Sequence, residues 1–161
     1  AWVMASQAVS VSAAIGTRAH YQAADDFATA FIRFKNGLAG VAVSVGFADG
    51  APNFECQVIC ANGTLRFSQH GEKCVQVGKG DRWEDVPFDD PPAEMHNEWK
   101  AFAEAIASNI EPPTHGEWGR HIMEILFAAE QSAITGREVQ LESGWTTQTS
   151  GTPVTTEHGW V

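Results

Sequence analysis

The 161-residue chain has the length and the 43% hydrophobic content of one ordinary globular domain, large enough to bury a core without disulfides. Its 20 acidic and 10 basic residues give a net charge of -10, which repels phosphate backbones and anionic membranes and excludes nucleic acid as an expected partner. We find neither an apolar run of spanning length nor a signal-peptide pattern, and therefore expect a soluble cytoplasmic protein with no membrane partner.

Alternating apolar and polar side chains predict a meander of about seven antiparallel strands over residues 8–88. The first strand covers residues 9–15, and the next two, residues 26–34 and 41–47, form a hairpin. A second hairpin turns at Asn62-Gly63, a pair that favours a type I′ turn. We expect the valine and phenylalanine stripe of these strands to face the core.

Two amphipathic helices and a short final strand are predicted in the last third of the chain. The first helix begins at Asp89-Asp90-Pro91, and the second begins where Thr114 and Glu117 form a capping box. Gly136 favours the C-cap of the second helix. Helical spacing predicts one core-facing stripe on each helix, made of Met95, Trp99, Phe102, Ile106 and Ile110 on the first and of Trp118, Ile122, Ile125, Ala129 and Ala133 on the second.

These elements predict an α+β fold, a large, mostly antiparallel open sheet of about six to eight strands with two main helices packed on one face. We expect residues 1–142 to form this domain and residues 143–161, which are polar and contain one acidic residue, to form a tail. The other face of the sheet is either solvated or packs on a copy of itself. Its predicted side chains are small or modestly polar: Ser10, Ser12, Ala28, Ala30, Ala42, Ser44, Glu55 and Gln57.

The residues that could carry chemistry form no recognisable catalytic or metal-binding motif. His115 and His121 lie six positions apart, so on a helix they point in different directions and cannot chelate a metal together. Gly78 and Gly80 lack the third glycine of a dinucleotide-binding fingerprint. We therefore assign no catalytic, cofactor-binding or metal-ligating residue. The cysteines are expected to be reduced and to be buried as small side chains: Cys56, Cys60 and Cys74.

Four segments, in this order and spacing, resemble the second domain of the glucose-fructose oxidoreductase, inositol dehydrogenase and rhizopine-catabolism (Gfo/Idh/MocA) family. They are Asp-Asp-Phe-Ala-Thr-Ala and the following hairpin at residues 25–37, Ala-Asn-Gly-Thr-Leu at residues 61–65, the helix at residues 99–106 and the closing run at residues 112–141. The resemblance covers residues 1–142. It implies a missing N-terminal Rossmann domain, and with it the Lys, Asp and His that act on the substrate hydroxyl in that family.

The resemblance also implies what the whole protein does. It indicates a nicotinamide-dependent oxidoreductase of a sugar, polyol or related hydroxy compound, with NAD or NADP bound by the full-length protein and none by this chain. The open sheet face would join a homodimer or homotetramer. Substrate-facing candidates are the loop after the third strand and the stretch before the second: His20, Phe47, Asp49 and Asn53. The alternative is a stand-alone, non-catalytic binding or dimerisation module.

Overall fold

A computed structural model describes residues 3–19, 24–47, 55–68, 75–86, 98–111 and 115–144. It shows an α+β fold with antiparallel strands, as predicted. The strands are β1 (Ala8–Gly16), β2 (Phe27–Phe34), β3 (Ala39–Val45), β4 (Glu55–Cys60), β5 (Gly63–Ser68), β6 (Val75–Lys79), β7 (Arg82–Asp85) and β8 (Val139–Gln140). The helices are α1 (Glu98–Ser108) and α2 (Gly116–Thr135).

The strands form two four-stranded sheets, where the sequence predicts one continuous sheet. Sheet A has the order β3-β2-β1-β8 and sheet B the order β4-β5-β6-β7. The chain divides accordingly into two compact units, residues 1–49 with 99–147, and residues 50–98 with 148–161. The predicted domain of residues 1–142 and its polar tail stay a prediction, since residues 145–161 lie outside the described part.

The core of the first unit lies between β1, β2 and the inner face of α2. Val11, Ala128 and Ala129 are buried there, and small side chains on both elements let the helix approach the sheet closely. Half-buried apolar residues complete this core: Ala13, Ile15, Ala30, Ile32, Ile125, Val139 and Leu141.

Two backbone amides of β1 are satisfied by side chains of α2. Strand β8 pairs only with Ser10 and Val11 of β1, and beyond this short pairing the Ala13 N–H donates to Ser132 Oγ at 2.9 Å. At the other end, the Ala8 N–H donates to His121 Nε2 at 3.1 Å. A spacing of eleven residues is about three helical turns, so both side chains reach β1 from one helical stripe. They are fully buried, and they lock the helix to the sheet in one register.

On β2 and β3, the face of sheet A that α2 covers is opposite to the predicted one, whereas on β1 the predicted face is correct, with Val11 buried and Ser12 on the open face. Register pairs Val11 with Ile32 and Ala13 with Ala30, and these side chains face the helix. The alternate residues therefore form an open face, on which Ser12, Phe31 and Val41 are cross-strand neighbours. The prediction that the valine and phenylalanine stripe is core was correct for Val11 of β1 but wrong for β2 and β3, whose exposed Phe31, Val41, Val43 and Val45 lie on the open face. Ala28, Ala30, Ala42 and Ser44, which were expected on the open face, lie on the helix side.

Helix α2 begins one residue later than the predicted capping box implies. His115 is the N-cap, in extended conformation, and its Nδ1 accepts the Trp118 N–H. Thr114 lies outside the described residues. Gly136 is the C-cap at φ 68, as predicted, and its N–H donates to Ser132 O. The buried stripe is rotated from the predicted one, towards His121, Ala128, Ala129 and Ser132.

Helix α1 does not bury the predicted stripe. Ala105 is buried, but the large side chains of the stripe are exposed, with Trp99 at 81% and Ile106 at 67%. Phe102 and Ile110 are exposed as well. The core expectation for these residues was wrong, because among the described residues it is α2 that packs on β1 and β8. Met95 and the predicted start at residues 89–91 lie outside the described part of the chain.

The β4–β5 and β6–β7 hairpins of sheet B have two-residue turns. Cys60 pairs with Gly63, so the first turn is Ala61-Asn62 rather than Asn62-Gly63. Neither turn residue has the positive φ that a type I′ turn needs, whereas Gly63 has φ 149. An added Cβ at Gly63 would lie 2.7 Å from the Gly78 carbonyl oxygen, so glycine is required by close approach of the backbones.

The cysteines of sheet B are free thiols, but they are not buried as expected. Cys56 is half-buried and Cys60 is exposed at the end of its strand. Cys74 lies outside the described residues. Alternation along β4 places these side chains on one face of a sheet that has no helix packed on it within its own unit among the described residues.

Candidate functional site

Asp26 joins two connections of sheet A at one end of the sheet. Its carboxylate accepts the N–H groups of Arg18 at 2.7 Å and Ala19 at 2.8 Å. Its backbone N–H donates to Gly16 O at 3.1 Å, and its carbonyl accepts the Gly46 N–H at 2.8 Å. One residue therefore fixes both the segment that leaves β1 and the segment that leaves β3. We call this region the Asp26 corner.

The Asp26 corner holds the residues that directly precede the two stretches that the sequence singled out for substrate. Ala19 directly precedes His20, and Gly46 directly precedes Phe47. Phe47 is 40% exposed and follows β3. The remaining predicted residues, His20, Asp49 and Asn53, lie outside the described part of the chain. Their roles, and that of Phe47, stay predictions.

The polar side chains of the corner bond to the chain itself. Asp26 places a carboxylate at the centre of the corner, and the Arg18 guanidinium lies 5.0 Å from the centroid of the Phe27 ring. Thr17 Oγ1 donates to Ala24 O at 3.2 Å, which closes the loop further. No residue of the corner within the described ranges forms a nucleophile and base pair.

A second polar cluster lies on the inner face of α2, and the sequence reading missed it. His121 Nδ1 lies 3.0 Å from Ser143 Oγ and 3.1 Å from Ser143 O. Ser143 Oγ donates in turn to the Glu124 carboxylate, which also accepts the N–H groups of Glu142 at 2.7 Å and Ser143 at 2.8 Å. The contacts join residues about twenty positions apart. Only the position of His121 on the buried stripe of α2 could have indicated the cluster.

This cluster contains Ser, His and Glu, but its order does not suit nucleophilic catalysis. In a catalytic triad the histidine stands between the serine and the acid. Here the serine stands between the histidine and the acid, and its hydroxyl donates a hydrogen bond to the Glu124 carboxylate. His121 is fully buried, so no substrate reaches it. The cluster is a structural network rather than an active site.

The pKa values of the two ionisable groups in the cluster are both lowered. Burial lowers the pKa of His121 from its ordinary 6.5, while the Ser143 backbone and the charge of Glu124 oppose this shift. Burial acts to raise the pKa of Glu124, but the hydrogen bonds from Ser143 and Glu142 outweigh it and leave that pKa below 4.5. Both groups therefore favour the neutral imidazole with an ionised carboxylate at neutral pH.

The described glycines and acidic groups do not provide a cofactor or metal site. Gly78 and Gly80 lie in the β6–β7 hairpin, and β7 follows them, whereas a pyrophosphate needs a turn from strand to helix. A groove of about 440 Å³ beside this hairpin is lined by turn residues, with Lys79 its one charged side chain. Within the described ranges no three His, Cys, Asp or Glu side chains are grouped to hold a metal ion. Nor does any helix there have the length and apolarity to cross a membrane.

The sequence matches no model of a known protein family and no curated protein. Solved structures match at the level of the fold. An aldose-aldose oxidoreductase from Caulobacter crescentus, solved with glycerol, superposes with a TM-score of 0.72 at 18% identity over 87% of this chain and 43% of its own. Levoglucosan dehydrogenase, solved with NADH and L-sorbose, gives 0.69 at 19% identity over 85% of this chain and 45% of its own.

A third structure is similar in the same way. The WlbA dehydrogenase from Bordetella pertussis, solved with NADH and UDP-GlcNAcA, gives a TM-score of 0.64 at 20% identity over 86% of this chain and 40% of its own. The chain thus spans less than half the length of each of these three proteins. At such identities the similarity establishes a shared fold: this chain has the α+β architecture found in part of these oxidoreductases.

Proposed function

We propose that this chain is the substrate-binding and oligomerisation domain of a nicotinamide-dependent oxidoreductase that acts on a sugar, polyol or related hydroxy compound. The observation that carries the proposal is the shared fold, which matches 87% of this chain to less than half of an aldose-aldose oxidoreductase. Two further matched structures hold NADH together with L-sorbose or with UDP-GlcNAcA. These ligands belong to those proteins and indicate the class of substrate for this one.

In this proposal the Asp26 corner supplies one wall of the substrate pocket. Its carboxylate fixes Arg18 and Ala19, which precede His20, and its carbonyl fixes Gly46, which precedes Phe47, so hydrogen bonds to the backbone hold the start of each connection. This chain binds and orients the hydroxy compound. NAD or NADP binds to a Rossmann domain elsewhere in the full-length protein, where it accepts or donates the hydride.

The open face of sheet A supplies the oligomerisation surface. Val41 is 66% exposed and Val43 is 65% exposed, and Val45 and Phe31 beside them are exposed as well. A contiguous apolar patch of this kind is typical of an interface. A second copy in the sheet-on-sheet arrangement would cover it.

The first experiment is to determine the mass of the natural polypeptide with an antibody against this domain. A product longer by roughly 120 to 200 residues, about one further domain, supports the proposal. A product of no more than 161 residues would instead favour the stand-alone binding or dimerisation module. Calorimetric titration of the present chain with NADH or NADPH is expected to show no binding.

A kinetic test on the full-length protein then addresses the Asp26 corner. Phe47→Ala is expected to raise KM for the sugar or polyol about tenfold, which corresponds to about 1.4 kcal/mol, while the Kd of the cofactor is unchanged. Leu38→Ala is the matched control, because Leu38 is 51% exposed in the turn at the opposite end of the β2–β3 hairpin. Equal effects of the two substitutions would count against a substrate wall at this corner.

A further inference from the structure

The buried histidine of α2 has a tautomer that its contacts fix. Because the Ala8 N–H can only donate, His121 Nε2 must accept and carries no proton. The proton of the neutral imidazole therefore lies on Nδ1 and is donated to Ser143. The Ser143 hydroxyl donates a hydrogen bond to the Glu124 carboxylate. The hydrogen bonds run in one direction from the start of β1, through α2, to the segment after β8.

Protonation of His121 would break this chain of hydrogen bonds. A proton on Nε2 would face the Ala8 N–H across 3.1 Å, which sets two donors against each other. The imidazolium is also fully buried, so water cannot solvate it in the closed arrangement. The cation is compatible with the fold only if the start of β1 or the segment at Ser143 separates from the helix.

We propose that His121, Ser143 and Glu124 form an acid-sensitive latch that ties the start of β1 and the segment after β8 to helix α2. The latch is closed while His121 is neutral and opens locally when the histidine binds a proton. Strand β8 is a two-residue edge strand of sheet A, so its release does not require the β1–β2–β3 ladder to break. Leu141, whose N–H donates to Val9 O at 2.9 Å, would be released with it.

Burial and the neighbouring charges determine how the stability of the latch changes with pH. Glu124 stabilises the imidazolium, whereas Arg120 on the same helix opposes it. Burial is the largest effect and favours the neutral form. Because the folded-state pKa lies below 6.5, the closed state is fully favoured above that pH. It loses stability as the pH falls from 6.5 towards the lowered value.

Amide hydrogen exchange followed by NMR tests the latch directly. The protection factor of the Ala8 amide, corrected for the intrinsic pH dependence of exchange, is expected to fall between pH 7.5 and pH 5, by at most about tenfold per pH unit below 6.5. The Phe34 amide, which donates to Leu38 O in the β2–β3 turn, serves as the internal reference. An Ala8 protection factor that is unchanged over this range would overturn the proposal.

Two histidine variants separate the latch from general acid effects. His121→Gln retains a side-chain acceptor but cannot become a cation in this range, so the pH dependence of Ala8 protection is expected to disappear. His115→Asn is the matched control, because asparagine also caps helices and His115 is the half-buried N-cap of the same helix, outside the latch. Persistent pH dependence in His121→Gln, or its loss in His115→Asn, would contradict the assignment.

A second measurement stands if His121→Gln does not fold. Glu124→Gln removes the negative charge that stabilises the imidazolium, so the pKa of His121, followed by the NMR shifts of its ring, is expected to move further down. The Nδ1-protonated tautomer should be observed at neutral pH in the parent chain. A pKa that stays in place or rises, or the opposite tautomer, would exclude the arrangement.

Discussion

Asp26 acts through both its side chain and its backbone, which is why one residue can position two connections. Its carboxylate binds the amides of Arg18 and Ala19, and its carbonyl binds that of Gly46. Within the described residues, neither connection contains a helix or strand that would hold it otherwise. The corner's geometry therefore depends on these hydrogen bonds rather than on apolar packing.

Asp26→Asn is expected to loosen the corner without unfolding the chain. The amide group retains one acceptor oxygen and presents N–H donors to the second backbone amide, so the loss is about 1–2 kcal/mol. Exchange of the Arg18 and Ala19 amides should accelerate in the variant. Asp25→Asn, at the exposed neighbouring position, is the control and should leave both amides unchanged. Similar exchange rates in the two variants would show that the carboxylate does not hold the loop.

Ser132 accepts a hydrogen bond from an amide of β1 that the short strand β8 does not reach. Its hydroxyl accepts the Ala13 N–H in a buried position beyond the end of β8. Ser132→Ala leaves that amide unpaired and should lower the free energy of unfolding by about 1–3 kcal/mol. Thr135→Ala removes a hydroxyl that bonds Gln131 O on the exposed side of the same helix and should change it by less than about 0.5 kcal/mol. Urea unfolding of both variants measures the difference, and equal losses would contradict the role of Ser132.

At the scale of the elements, two glycines of α2 have different backbone conformations. Gly136 has φ 68, whereas Gly119 lies within the helix, and an added Cβ would meet no atom within 4 Å at either position. Gly136→Ala should therefore destabilise the chain by about 1 kcal/mol, because alanine is strained at positive φ. Gly119→Ala should stabilise it by about 0.5–1 kcal/mol. Thermal unfolding should move the midpoint down for the first variant and up for the second, and shifts of one sign would contradict this account.

The sequence predicted the elements better than their faces. Alternation placed β1, β2 and β3 within one or two residues, because the period of two is a local property of the backbone. It could not say which face the helix covers, since both faces of β2 carry apolar residues. The small residues of α2 decide this by allowing close packing on Ala13 and Ala30. The deciding information therefore lies on a different element, about a hundred residues away.

Local sequence patterns could not predict the polar clusters either, because the hydrogen-bond partners lie on other parts of the chain. Asp26 fits the sequence pattern of a strand start, and its binding of Arg18 and Ala19 depends on how the intervening loop folds back. His121 is hydrogen-bonded to Ala8, 113 positions away. A histidine within an apolar helix stripe is the signal that was available. It indicates burial but not the partners.

At the scale of the whole molecule, the reversal of the predicted faces on β2 and β3 strengthens the expectation of self-association. The predicted open face was small and modestly polar, whereas the observed one carries Phe31, Val41, Val43 and Val45. Apolar side chains on adjacent strands at cross-strand distance form one continuous surface. Water contact with such a surface is unfavourable, and burial against a second copy removes it.

Substitutions on opposite faces of β3 test this assembly. Val43 lies on the open face and is 65% exposed, while the exposed Ser44 beside it points to the helix side. The parent chain should sediment as a dimer or larger species, and Val43→Asp should shift it towards the monomer, because each interface would then bury unpaired carboxylates. Ser44→Asp adds the same charge on the same strand and should leave the association constant unchanged. A parent chain that is monomeric at high concentration, or two variants that dissociate equally, would mean that the open face of sheet A does not join two copies.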